Sequence, residues 1–213
     1  MEINRREIYR YLGLGSAGPD ERTEALTESC IAELTGVVSP RSFTRSFPLT
    51  FLSDGSMDFG CFTVRSENLK KNLRDCCEVI LFAASLGTGP DRLIQRYSRL
   101  EMSRAVVLQA AAAAMIEGYC NEVNAVLKEE AKKKELFLRP RFSPGYGDFP
   151  LEYQRELCRT LAAEKTVGIT LTDSLLMMPS KSVTAVIGAG KEECGCVNDG
   201  CEACTKKDCL YRR

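Results

Sequence analysis

With 213 residues, 29 basic side chains balanced by 29 acidic ones and no histidine, the chain has the length of one medium domain with an appendage. It lacks the charge bias that holds nucleic acid or an anionic membrane, and the missing imidazole excludes Ser-His-Asp and Cys-His nucleophile systems and any mixed Cys/His zinc site. The opening Met1-Glu-Ile-Asn-Arg-Arg-Glu7 has no apolar signal core behind it, and no apolar run approaches membrane-spanning length, so a soluble, cytoplasmic protein is expected.

In chain order, residues 3–12 and 20–36 read as amphipathic helices, the second carrying Leu26, Cys30, Ile31 and Leu34 at helical spacing. Gly13-Leu-Gly15-Ser-Ala-Gly18 lies between them. It matches a dinucleotide-loop pattern by letter, but it follows a helix and is closed by Pro19, so the required strand–loop–helix setting is missing. Residues 43–52 and 59–64, rich in β-branched and aromatic side chains, flank Ser53-Asp-Gly-Ser56 and read as a hairpin. Residues 67–75 form a short helix and 78–84 a buried strand. The loop Ser85-Leu-Gly87-Thr-Gly89 is either a tight strand-to-helix turn or a helix entrance facing an anion.

A helical region follows over about 91–134, broken near Arg99, with Met102, Val106, Ala110, Ala113, Ile116, Cys120, Val123 and Leu127 as its apolar stripe. Its charged end, 128–134, is expected to fray into solvent. Residues 150–165 read as one more helix, and 167–171 and 182–187 as closing strands. Gly188-Ala-Gly190 reads as a hinge leading into the end of the chain. Hairpins, together with strands and helices that do not alternate, predict an α+β fold, with a mainly antiparallel sheet and flanking helices over residues 1–190 and a Cys-rich tail over 191–213.

Two stretches carry chemistry. In Arg141-Phe-Ser143-Pro-Gly145-Tyr146, the guanidinium can grip a carboxylate with two parallel hydrogen bonds. Pro144-Gly145 lets the backbone pass close beside a ligand, and Tyr146 adds an aromatic face with a polar tip. The bland alternative is a surface salt bridge beside an ordinary turn. The second stretch holds five of the eleven cysteines, Cys194, Cys196, Cys201, Cys204 and Cys209, within the last twenty residues. Thiolates this dense, turned by Gly195, Asp199 and Gly200, can wrap a zinc ion or an iron–sulfur cluster, with the fifth spare or exchangeable. The alternative is a redox-sensitive tail, and a disulfide scaffold is the weaker reading for a chain with no export signal.

Arg141-x3-Gly145-Tyr146 resembles the Arg-x-x-x-Gly-Tyr signature of the S-adenosylmethionine-binding activation domain of cobalamin-dependent methionine synthase. The resemblance extends to Gly168-Ile-Thr-Leu-Thr172-Asp-Ser174, Met177-Met-Pro179 and Ser182-Val183, and upstream to Tyr119-x-x-Glu122-Val123. It covers roughly residues 65–188. It implies that Arg141, Ser143, Gly145 and Tyr146 line an S-adenosylmethionine groove, that Glu122 meets the ligand's ammonium or ribose hydroxyls, and that Glu122 or Asp148 balances the sulfonium. The chain departs from the family where Asp148-Phe-Pro-Leu-Glu-Tyr153 replaces a histidine-containing segment, and where the cysteine tail replaces a tyrosine-bearing strand.

The function implied is reactivation of a cobalamin-dependent methionine synthase core that lacks this domain. There S-adenosylmethionine and one electron, from flavodoxin or ferredoxin, return cob(II)alamin to methylcobalamin. Without histidine the chain offers cobalt no imidazole, so the cobalamin is held by the partner, and the tail cysteines are expected to hold a cluster that passes the electron. The rival readings are a stand-alone S-adenosylmethionine-dependent corrinoid methyltransferase and a non-catalytic metal-binding adaptor.

Overall fold

In the computed structural model, which describes residues 3–14 and 18–192, the apolar run near residue 80 lies at the centre of an antiparallel sheet. Two helices precede it, α1 (Arg5–Tyr11) and α2 (Glu21–Val37). Asn4 and Asp20 start them, each side chain accepting a backbone N–H of the first turn. β1 (Arg41–Pro48) follows, then the short strands β2 (Thr50–Phe51), β3 (Met57–Asp58) and β4 (Thr63–Val64), and α3 (Glu67–Asn72). β5 (Cys76–Ser85) leads into α4 (Gly89–Leu100), α5 (Met102–Lys132) and β6 (Phe137–Leu138). The chain closes with α6 (Tyr153–Thr160), α7 (Ala163–Thr166), the small hairpin β7 (Thr170–Leu171) and β8 (Met177–Met178), and β9 (Ser182–Gly190).

The main sheet has the order β1-β5-β9-β6 with antiparallel pairing throughout, so the α+β expectation holds. Side chains alternate across β5 and β9. Ile80, Phe82, Ala84, Ala185 and Ile187 pack under α1, α2 and α5, whereas Val79, Leu81, Ala83 and Val186 pack against Phe59, Leu69, Phe149, Leu157 and Ile169. Among the described residues no helix is long and apolar enough to cross a membrane.

Several sequence expectations change. The hairpin around Ser53-Asp-Gly-Ser56 joins only the two-residue strands β2 and β3, because β1 pairs along its whole length with β5. Residues 150–165 form two helices, since Ala162 takes a left-handed conformation (φ 48°) and turns the chain between them. The α5 stripe is rotated at its start. Met102 and Val106 are exposed, while Ala105 is buried and Leu108, Ala112 and Met115 join the core with the sheet. The end of α5 does not fray, because Ala131 is buried against Leu136 and Ala189. Gly188 and Gly190 are strand residues rather than a hinge. A Cβ on Gly188 would lie 2.7 Å from Cys76 Sγ, and one on Gly190 would lie 2.6 Å from the Asp75 carbonyl oxygen.

Candidate functional site

After β6 the chain continues along the free edge of β9. Arg139 N donates to the Gly188 carbonyl at 2.8 Å, and Phe142 and Val186 exchange two backbone hydrogen bonds of 2.9 Å. Successive side chains leave opposite faces of such a segment. Phe142 joins the core beside Phe149, while Arg141 reaches the other way, to α5. Its Nη2 donates to Asn121 Oδ1 at 3.0 Å and to Glu117 Oε2 at 3.3 Å. The Arg141 side chain is only 17% exposed, yet among the described residues Nε and Nη1 have no hydrogen-bond partner. Neither nitrogen is a buried atom without a partner, so their N–H groups reach solvent, where an anion could take them.

Directly afterwards the chain turns. Tyr146 N donates to the Ser143 carbonyl at 3.2 Å, and Gly145 N to the Phe149 carbonyl at 2.8 Å. Gly145 sits at φ 90°, where a side chain is strained, and Tyr146 projects 68% exposed beyond it. Arg141, Ser143, Gly145 and Tyr146 therefore lie on one short ledge at the sheet edge.

Glu122 does not join them. Tyr119, three residues before it, donates its hydroxyl to Ser42 Oγ on β1 at 3.1 Å, and β1 and β6 are opposite edges of the sheet. Residues three apart share a helix flank, so Glu122 lies on the β1 flank of α5, whereas Glu117 and Asn121, four apart, face Arg141. Glu117 was not singled out in the sequence. The available signal was its i, i+4 spacing to Asn121, which has meaning only once the returning edge is known.

Asp148 is also occupied. Its carboxylate accepts from Ser66 Oγ at 2.5 Å, Glu67 N at 2.8 Å and Asn68 N at 3.0 Å, closing the start of α3. The Ser66 hydroxyl, aided by those amides, holds its pKa below the usual carboxylate range. Its carboxylate is thus ionised and fixed at the start of α3.

The remaining motifs make contacts that serve the fold. Thr172, Asp173 and Ser174 make the β7–β8 turn, with Thr172 Oγ1 accepting from Leu176 N at 3.0 Å. This hairpin is tied to α6 through the Asp173 and Leu175 carbonyls, which accept from Arg155 and Gln154. The loop Ser85–Gly89 serves as a turn: Leu86 bridges Ser39 and Lys181 by backbone hydrogen bonds, and Asp91 accepts from Ser180 N and Oγ.

Burial pushes the Cys120 thiol up to about 12 and those of Cys30 and Cys158 up to about 11, so these body cysteines are protonated packing residues. Among the described residues no three Cys, Asp or Glu side chains converge as a metal site. Cys194, Cys196, Cys201, Cys204 and Cys209, assigned to metal above, lie outside the described residues.

Comparison with known proteins gives the family and the fold. The family model for the activation domain of vitamin B12 dependent methionine synthase matches residues 69–195, more than half of the chain. Thirteen solved chains match in structure. One is the crystal structure of the MetH reactivation domain bound to AdoHcy, with a TM-score of 0.61 and 17% sequence identity over 91% of this chain and 78% of that one. No curated protein matches the sequence.

Proposed function

The chain belongs to the family of the vitamin B12 dependent methionine synthase activation domain, and from that premise we propose that it binds S-adenosylmethionine on the Arg141–Tyr146 ledge and presents its methyl group to a cobalamin held by a methionine synthase core lacking this domain. The observation that carries the reading is the half-engaged Arg141 guanidinium beside the left-handed Gly145 turn. Arg141 takes the carboxylate of the ligand's amino-acid end. Ser143 and Gly145 offer backbone at close range, and Tyr146 provides an aromatic face for the nucleoside end.

The chain's contribution is positioning, which turns an encounter between two large molecules into a nearly unimolecular displacement at the sulfonium methyl. With the cobalt of a partner-held cobalamin as nucleophile, the transfer would need no general base from this chain, which has no histidine. The electron for the oxidised cofactor comes from flavodoxin or ferredoxin. Cys194, Cys196, Cys201, Cys204 and Cys209 are the proposed ligands of zinc or an iron–sulfur cluster. Iron and zinc analysis of anaerobically purified protein, with electron paramagnetic resonance, distinguishes the two.

Titration calorimetry with S-adenosylmethionine tests the central claim. Binding by the wild type that weakens by about 2–4 kcal/mol in Arg141→Ala is expected for loss of one partner of an enclosed charge-assisted pair. Unchanged affinity removes Arg141 from the site. Turnover of S-adenosylmethionine in the absence of methionine synthase would favour the stand-alone methyltransferase.

A further inference from the structure

Where the end of α2 meets the start of α4, the surface opens into a cleft of about 470 Å³. Gly89 brings the two backbones together there, since a Cβ on it would stand 2.0 Å from the Val37 carbonyl oxygen. Val37 and Leu93 give the cleft an apolar wall, and Ser39, Arg92 and Arg96 line it with hydrogen-bond donors. None of the ledge residues Arg141, Ser143, Gly145 and Tyr146 is among its lining. Arg92 and Arg96 are exposed and, four residues apart, share one face of α4. Arg96 lies over the Tyr97 ring, 5.7 Å from its centroid, and among the described residues neither guanidinium has a carboxylate partner. Two acids of these helices are engaged elsewhere: Asp91 accepts from the Ser180 amide and hydroxyl, and Glu33 holds Arg104 at 2.8 Å. Like charges at this spacing destabilise a helix, and an anion shared between them removes that cost.

We propose that this cleft binds a small molecule carrying a phosphate group on an apolar body. Arg92 and Arg96 clasp the phosphate, whose oxygens match the planar fork of a guanidinium. Ser39 adds a hydroxyl donor, and the apolar body covers Val37 and Leu93. A carboxylate is already matched by one fork. Two forks with no acid between them suit the higher charge and third oxygen of a phosphate monoester. The volume falls within the range of small-molecule sites. The site shares no residue with the S-adenosyl ledge, so either can be filled without the other.

The test uses the full chain with inorganic phosphate and phenyl phosphate at fixed ionic strength, read by titration calorimetry and by the thermal midpoint. Neither probe carries an adenosine or an amino acid, so the ledge does not contribute. Phenyl phosphate is expected to raise the midpoint and to bind about 10-fold more tightly than inorganic phosphate, the ring over Val37 and Leu93 supplying the difference. Arg92→Gln and Arg96→Gln are each expected to weaken phenyl phosphate about 10-fold, with the ligand-free midpoint unchanged or raised as the like-charge pair is relieved. Arg99→Gln, about one turn further along α4 and outside the cleft, is expected to leave binding as it is. Equal weakening in Arg99→Gln would mark a general attraction of anions to a basic helix and overturn the assignment. So would phenyl phosphate that binds no more tightly than inorganic phosphate, or a wild type that binds neither. Binding lost in Arg141→Ala but kept in Arg92→Gln would place the phosphate on the ledge and overturn it as well.

Discussion

The two faces of the sheet are closed by opposite means. One is covered by long helices: α5 alone contributes Leu108, Met115, Ile116 and Cys120 to a continuous core with α2 and α1 over Phe82 and Ile187. The other is assembled from short pieces, α3, α6, α7 and the small hairpins, joined by Phe59, Phe142, Phe149 and Tyr153 and fastened by particular polar closures such as Asp148 on α3. A helix-covered face draws its stability from packed area. A pieced face draws more of it from individual fastenings and opens more readily in parts. The ledge sits on the seam, with Arg141 turned to the helices and the 143–148 turn built on the pieces. It thus combines a fixed charge with a more adaptable rim.

Substitutions can break or sharpen this contrast. The largest effect is expected at Gly89, where α4 meets the end of α2. A Cβ there would stand 2.0 Å from the Val37 carbonyl oxygen, so Gly89→Ala forces two backbones apart. A destabilisation of about 4 kcal/mol or more, at the upper end for single changes, is the expected result in urea denaturation. Next comes Met115→Ala, which opens a cavity in the helical core where Met115 is fully buried. It should cost about 2–5 kcal/mol. Amide exchange should then show protection falling across α2 and α5 together, as one cooperative unit. Loss of protection confined to α5 would contradict the contrast.

The same contrast explains what the sequence revealed. α2, the break before α5 and the β5 run were readable because amphipathic spacing and a long apolar strand are local signals. The Arg141–Tyr146 turn was readable for the same reason, since arginine, proline and glycine state their chemistry within six residues. The edge segment after β6 was not, because its hydrogen bonds go to β9, almost fifty residues later. Until that edge is placed, neither Glu117 nor Glu122 is marked as the acid near Arg141. The break at Ala162 was hidden too, as alanine carries no preference for the left-handed conformation it adopts there. The metal assigned to the cysteine tail rests on spacing alone.

On the pieced side effects should be smaller and local. Gly145→Ala places a Cβ at φ 90° and within 3.4 Å of Leu151 Cδ1. A loss of about 1–2 kcal/mol is expected from the backbone conformation, seen as faster exchange of the 143–149 amides with α5 unaffected. If α5 exchange accelerates equally, the ledge is not separable from the helical face.

The mildest effect, and the one with a distinct signature, belongs to Asp148. Its pKa is held low first by the Ser66 hydroxyl and then by the Asn68 and Glu67 amides. Because the folded value lies below the unfolded one, the carboxylate's contribution is fully present above the unfolded pKa, about 3.9. It is lost as the pH falls from there through the depressed folded value. Asp148→Asn should therefore cost about 1 kcal/mol at neutral pH, the scale of a lost helix cap, and the gap between variant and wild type should close below about pH 4. Urea denaturation of both proteins at neutral and acidic pH measures this directly. A gap that persists undiminished in acid would mean that the amide fails for steric reasons and that charge at the start of α3 is not what fastens this face.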